Sequence, residues 1–442
     1  AQNNGTINTS INNTYVITVT PIHNGNFSQS LNNINNIEMC NIYNNNIGVD
    51  DKVNLESLKL SIKKYTYKDN GYKIIRYDKG FLTKDLYGSI GLLRSVILNK
   101  NNNIVVFSPP KSESPDVFEK SYSPSECYAE EYIEGTMINL YFDEILNDWN
   151  VATRSTVGAK ITFYKHSIRD NNLTFRDMFL QTCDIDFDVL DKKICYSFVL
   201  QHKLNRIVKP IYDSAIYLVK MYTIDKLNVT EVVLNAEDKK MFETKFNVKF
   251  PKTFDFDSYE MLKEDWVSPK TPYKIMGIIV NHKTNGTRTK FRNINYENVR
   301  KLRGNQPKLQ YHYLCLRKEG KVKDYLEYYP ENKYAFNEFR DMLHMITRIL
   351  YTYYCQCYKK KEKPLMEFPS QYRTHMFKLH EIYTNELKEQ KKYINLGKTI
   401  EYVNNLHSSR HASNDIISQV LPLPSTVLQS GGLAVPVAHF LF

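Results

Sequence analysis

Apolar and polar residues along the chain fall into two regimes, one with the short period of β-strands and one with the long period of helices. Between residues 92 and 107, two β-rich runs, LLRSVIL and IVVF, flank Asn99-Lys100-Asn101-Asn102-Asn103, a pattern that predicts a hairpin. Similar strand signals recur over 135–142, 150–153, 196–200, 216–223 and 275–280, separated by Gly, Asn and Asp turns. Closely spaced strands with turn signals between them predict an α+β core of mainly antiparallel sheets. Beyond Tyr329-Pro330-Glu331 the period changes. Phe336, Phe339, Met342, Leu343, Ile346, Ile349, Leu350 and Tyr353 recur at three- and four-residue steps, which places them on one face of a long helix. Two more helices are expected over 371–390 and 393–406. The domain plan is therefore an Asn-rich region over 1–55, in strands or disordered, a core over 56–329, a helical domain over 330–408, and a tail over 409–442 whose last part, 420–442, is apolar and almost uncharged.

Composition narrows the partners more than it narrows the fold. The chain has 442 residues, 42% of them apolar, which is ample for a core, and a formal charge of +11 that favours a polyanion such as RNA, DNA or a nucleotide. Seven scattered cysteines with no CxxC pair suggest neither a disulfide framework nor a zinc site. No run of 18 apolar residues and no basic-then-apolar leader is present, so a soluble intracellular protein is expected. The excess of Asn, Ile, Lys and Tyr is that of an AT-rich genome, such as a large DNA virus.

Five blocks then appear in order. Arg94-Ser95-Val96-Ile97 is followed by Ser108-Pro109-Pro110-Lys111; next comes Glu131-Tyr132-Ile133-Glu134-Gly135-Thr136-Met137-Ile138, then the run Trp149 to Gly158 with Thr174-Phe175-Arg176-Asp177. The fourth runs from Phe198 through Asn205-Arg206-Ile207-Val208, and the fifth is Met276-Gly277-Ile278-Ile279-Val280 followed by Arg288-Thr289-Lys290 and Tyr296. Together these blocks resemble the nucleotidyltransferase core of the phage-type RNA ligases. That family carries a Lys-x-Asp-Gly-Ser-Leu-Ile motif, a Phe-Glu-x-Val-x-Pro-x-Asn-Arg-Ile-Val motif and a Glu-Gly-Val-Val-Val strand followed by Lys-x-Lys.

The resemblance implies a covalent lysine adduct, ATP and Mg2+ for catalysis, with no cofactor where the site is degenerate. It places Tyr132 at the nucleophile, Glu134 and Gly135 beside it, and Arg94, Lys111, Arg206, Arg288 and Lys290 on the nucleotide phosphates. The basic run that follows, with Arg300, Lys301 and Arg303, is a candidate nucleic-acid contact, and no metal ligand is identified.

The departures share a direction. The lysine is replaced by Tyr132, and two glutamates are replaced by Val199 and Met276, while the basic positions persist. A phenol holds its proton at neutral pH and is a poor nucleophile there. The sequence therefore implies an RNA-ligase-like protein with a degenerate active site, binding nucleotide or nucleic-acid phosphates without forming an adduct. Two alternatives stand beside it: a ligase active through another lysine, and a structural virion or assembly protein whose C-terminal tail docks on viral protein partners, in the cytoplasm, a viral factory or the virion. The lysines of 359–363 read as a solvated helix end, the aromatic stripe of the long helix as core, and the acidic run 184–191 as a turn.

Overall fold

The computed structural model describes residues 19–21, 60–78, 80, 82, 90–162, 173–226, 228–306 and 308–406. The chain divides into two compact units, residues 1–305 and 306–442. The division lies two helices upstream of the boundary expected at 329/330. Helices α6 (Leu309–Lys318) and α7 (Val322–Tyr328) go with the helical unit, because His312, Tyr313 and Tyr325 pack in one aromatic cluster with Phe336. The tail and most of 1–55 lie outside the described residues, apart from β1 (Val19–Pro21).

The first unit is α+β, with every paired strand antiparallel. A hairpin of β2 (Leu60–Tyr67) and β3 (Asn70–Tyr77) turns through Lys68 and Asp69, both at positive φ, and was not signalled by the strand pattern. It continues into β4 (Val96–Leu98) and β5 (Ile104–Phe107), the hairpin the Asn-rich turn predicts. Asn99 closes that turn, its Oδ1 accepting from the amides of Asn101 and Asn103 while Asn102 takes positive φ.

Two further sheets build the site. The larger has the order β1-β11-β10-β9-β7-β8, with β7 at Thr136–Asp143, β8 at Asp148–Ala152, β9 at Ile194–Gln201, β10 at Ala215–Asp225 and β11 at Asn228–Leu234. Every residue of β9 is buried, as a central strand covered on both faces requires. Helix α2 (Phe175–Thr182) packs Phe175, Met178 and Phe179 into this sheet's core, and its start is fixed by a capping box between Thr174 and Asp177.

The smaller sheet has the order β12-β6-β13-β14, with β6 at Cys127–Glu131, β12 at Thr253–Phe254, β13 at Gly277–His282 and β14 at Arg288–Arg292. Alternation sorts its two faces. Cys127, Ala129, Ile278, Val280 and Phe291 pack against Phe118 of α1 (Pro115–Ser121) and Tyr259 and Leu262 of α4 (Tyr259–Val267). The opposite face carries Glu130, Ile279, Arg288 and Lys290. Helices α3 (Ala236–Lys245) and α5 (Ile294–Arg303) complete the unit.

In the second unit, α8 (Lys333–Tyr354) buries Phe336, Leu343, Ile346 and Leu350 of the expected stripe, as core. Helices α9 (Ser370–Ile382) and α10 (Leu396–Asn405) follow, each shorter than the sequence predicts because a π-helical turn, Tyr383–Leu387, ends the regular part of α9 and Asn395 caps α10. Among the described residues no helix is long and apolar enough to cross a membrane.

Candidate phosphate-binding cleft

The inner face of the smaller sheet is laid out in cross-strand rows. Glu130, Ile279 and Lys290 form one row, and Tyr128, Asn281 and Arg288 the next. Gly277 pairs with Arg292 one row further on, just where the chain leaves β6 at Tyr132. Facing this sheet, β7, β9 and β10 supply Met137, Val199, Val219 and Lys220, and α5 supplies Tyr296, Arg300 and Arg303. The cavity so enclosed measures about 250 Å³.

Four of the residues assigned to phosphates or to the nucleophile position meet there: Arg94, Tyr132, Arg288 and Lys290. Gly135 joins them for a steric reason. A Cβ at this position, at φ +153°, would sit 2.4 Å from the Leu200 carbonyl oxygen and 2.6 Å from Val199 Cγ1, so only glycine lets β7 start this close to β9. Arg300 and Arg303 also line the cavity, whereas Lys301 is exposed and does not. Val199 and Met276, where the sequence resemblance expects two glutamates, both face the cavity with apolar side chains.

Three expected contacts are placed differently. Glu134 does not point at a reacting group: its carboxylate accepts from the amides of Val208 and Lys209 at 3.1 Å, and Tyr296 bonds to it from α5. Burial raises its pKa, and the Lys209 and Val208 amides oppose that rise. Arg206 turns back on its own loop, Nε and Nη2 donating to the Val208 carbonyl at 3.1 and 3.0 Å. The Asn-Arg-Ile-Val block is thus a loop lock around Glu134, with Asn205 Nδ2 donating to Thr136 Oγ1. Lys111 lies outside the cavity lining; its Nζ donates to the Ser112 carbonyl at 2.7 Å, and its charge still reaches Lys290.

Two arginines brace the Pro-Pro segment. Arg288 Nη2 donates to the Pro110 carbonyl at 2.9 Å and Arg94 Nη1 to that of Pro109 at 3.4 Å. Arg288 is 9% exposed, and its Nε is buried with no hydrogen-bond partner among the described residues. Asn281, directly across the strand pair and 2% exposed, has its Nδ2 in the same condition. Two neighbouring buried donors without acceptors are costly to leave unmade.

Lys290 is the unusual group of the site. Its Nζ lies 3.2 Å from the Tyr132 hydroxyl and 4.6 Å from that ring's centroid, while Arg292 covers the same ring at 5.5 Å. Burial and then the charges of Arg288, Arg94, Arg292 and Lys111 bring its pKa down to about 5, so the amine is neutral at pH 7.

Two cavity residues carried no motif signal. Glu130 is buried beside Lys220, and Lys220 forms an ion pair with Glu231 at 2.6 Å. Burial opposes the Lys220 charge, but Glu231 and Glu130 outweigh it and raise its pKa. A register shift between Leu218 and Lys220 turns Val219 and Lys220 into the cavity together. A single lysine inside the apolar run IYLVKMYTI was the available sign.

The cationic wall fits the phosphates of a nucleotide, but the acidic set does not fit Mg2+. Val199 and Met276 offer no oxygen, Glu134 is held by two amides, the lining carboxylates Glu130 and Glu131 are engaged by Lys220 and by the Lys252 amide, and among the described residues no group of three or more His, Cys, Asp or Glu side chains could hold a metal ion.

Fold and site together define an α+β protein with a cationic cleft between antiparallel sheets. No protein-family model and no curated protein sequence matches the chain. Among solved structures it is similar to a putative ATP-dependent DNA ligase from Aquifex aeolicus, at 12% identity and a TM-score of 0.36 over 79% of this chain and 76% of that one. It is also similar to an archaeal ATP-dependent RNA ligase, at 9% identity and a TM-score of 0.39 over 66% of this chain and 70% of that one. An RNA ligase of Naegleria gruberi is similar at 11% identity and a TM-score of 0.31, over 57% and 82% of the two chains.

Proposed function

We propose that this protein is a phage-type RNA-ligase-like binder of nucleotide or nucleic-acid phosphates whose cleft has lost the nucleophile of that family. The observation that carries the reading is the convergence of Arg94, Arg288, Lys290, Arg300 and Arg303 on one cavity, with the Arg288 Nε buried and without a hydrogen-bond partner among the described residues. Such a site favours a ligand rich in acceptors and negative charge. Arg300→Ala should weaken binding of single-stranded RNA by roughly three- to thirtyfold, since a half-exposed charge-assisted contact contributes about 0.7–2 kcal/mol. A salt titration of labelled RNA and of ATP checks this. The RNA slope should be steep because neutralised phosphates release counterions, and the ATP slope shallower. Equal binding by wild type and Arg300→Ala would count against the cleft as the site.

One observation favours the alternative of catalysis through another lysine: the neutral amine of Lys290 faces Tyr132. Against it stand the apolar side chains of Val199 and Met276, and of the two carboxylates in the cavity lining Glu131 accepts from the Lys252 amide while Glu130 lies beside Lys220. Incubation with labelled ATP or GTP and a denaturing gel should show no acid-labile, alkali-stable adduct. A band lost in Lys290→Met would establish catalysis at that residue.

A further inference from the structure

We propose that the helical unit carries a second binding surface, on which a base of a single-stranded polynucleotide stacks on Tyr393 while the lysines of 359–363 and 388–392 take the phosphates of the strand. The surface begins as a column of rings. Tyr358, on the π-helical turn Cys355–Lys359 that ends α8, lies 4.0 Å from His380 of α9, with 14° between the rings. His380 lies on Tyr383 at 5.6 Å and 30°, and Tyr383 on Tyr393 at 6.0 Å and 16°. Two local features aim these rings. Both π-helical turns, rare departures that recur at functional sites, carry one of the tyrosines, Tyr358 or Tyr383. Beyond the second, the Lys391 amide donates to the Lys388 carbonyl at 3.1 Å and Lys391 takes φ +56°, which folds the chain back so that Tyr393 meets Tyr383.

Exposure along the column separates it from core. Tyr354, beside Tyr358, is buried, Tyr358, His380 and Tyr383 are half-buried, and Tyr393 is 67% exposed. The column therefore ends in an aromatic face open to water and nearly parallel to the ring beneath it. A base added there extends a stack that is already ordered, so little conformational freedom is lost. The charges around it name the partner. Four lysines and one glutamate occupy 359–363, and three lysines and one glutamate occupy 388–392. The Lys359 Nζ donates at 2.6 Å to the carbonyl of Ile394, next to Tyr393, which draws the two segments together. Glu362 is taken up by Lys360, whereas Lys361, Lys363, Lys388 and Lys391 are exposed and form no ion pair among the described residues. Cations beside a stacking ring fit a strand that presents phosphates and unpaired flat bases together, whatever the base sequence. A duplex keeps its bases paired inside, and an acidic protein or an anionic membrane brings charge with no base to stack.

The test is fluorescence anisotropy on the full chain with a labelled oligouridylate of about 15 nucleotides carrying 5-iodouridine, followed by irradiation and mapping of the crosslinked peptide. Wild type should crosslink at Tyr393. Tyr393→Leu should lose that crosslink and bind the strand roughly five- to a hundredfold more weakly, as loss of one stacked base implies, with its salt slope unchanged, while Tyr393→Phe keeps the affinity. Lys388→Ala, Lys391→Ala and Lys392→Ala combined should make the slope of log K against log salt shallower by about two, since each neutralised phosphate of a single strand contributes about 0.7. All these side chains are exposed, and a melting curve for each variant confirms folding. The same strand annealed to its complement, polyglutamate and phosphatidylserine vesicles serve as competitors at equal charge. Displacement by any of them as effective as by the free strand, or Tyr393→Leu binding as tightly as wild type, would overturn the proposal. Crosslinks confined to cleft residues would overturn it and leave the cleft reading intact. A crosslink at Tyr393 with binding unchanged in Arg300→Ala would support it and count against the cleft.

Discussion

Lys290→Met should raise the melting temperature of the ligand-free protein at pH 7. The folded-state pKa of Lys290 is about 5, against an ordinary value near 10.5, so between those values the unfolded chain binds one more proton than the folded one. Wild-type stability must then rise with pH through that window, by up to about 1.4 kcal/mol per pH unit from this group alone. Methionine fills a similar volume, carries no charge to desolvate and retains contact with the Tyr132 ring, losing only the bond to the hydroxyl. The expected gain is on the order of 3 kcal/mol at pH 7. It should be larger near pH 5–6 and should vanish toward pH 10.5. Thermal melts of both proteins across that range are the check, and a gain independent of pH would mean the amine is charged in the folded state. Lys290 lines the cleft proposed above to bind phosphates, so added phosphate should narrow the difference in melting temperature.

Gly277→Ala should be among the most damaging single substitutions in the first unit. Gly277 has φ +137°, and a Cβ there would meet the Phe291 carbonyl oxygen at 2.0 Å and the Arg292 Cα at 3.1 Å. Both are backbone atoms of β14, so the clash cannot be relieved by turning a side chain; the two strands would have to part. The Gly277–Arg292 pair starts the β13–β14 ladder, and its loss would shift Lys290 and Arg292 away from Tyr132. A loss of roughly 3 kcal/mol or more is expected from the positive φ and the overlap together. Chemical denaturation of the variant measures it, and a loss below about 1 kcal/mol would show that the strand pair gives way easily. Phosphate affinity should fall with stability, because β14 carries both Arg288 and Lys290.

The reading of Glu134 shows why a motif can be legible and its role not. The block that contains Glu134 and Gly135 was recognisable from residue order, and the structure places it at the edge of the cleft. Yet whether a carboxylate acts on a ligand depends on what else bonds to it, and the amides of Val208 and Lys209 are more than seventy residues away. Arg206 looked like a phosphate contact for the same reason and proved to be a brace for its own loop. Gly135 was read as part of the active site; its role here is to let two strands approach.

What the sequence determined by itself was local. Apolar alternation and Asn-rich turns specified the β4–β5 hairpin and the strands near β7, β8, β9, β10 and β13, and the three- and four-residue period specified α8, because these patterns act between residues a few positions apart. The order of basic positions also placed Arg94, Arg288 and Lys290 in one candidate site. Tertiary structure alone decided the rest. It brought Glu130 and Lys220 into the cavity through sheet pairing and a register shift, and left Lys111, Lys301 and Arg206 out of its lining. It also set the proton on Lys290, since a lysine's charge depends on how much water it keeps and which cations surround it. Those neighbours come from strands and loops up to about two hundred residues distant, and no pattern along the chain encodes their field.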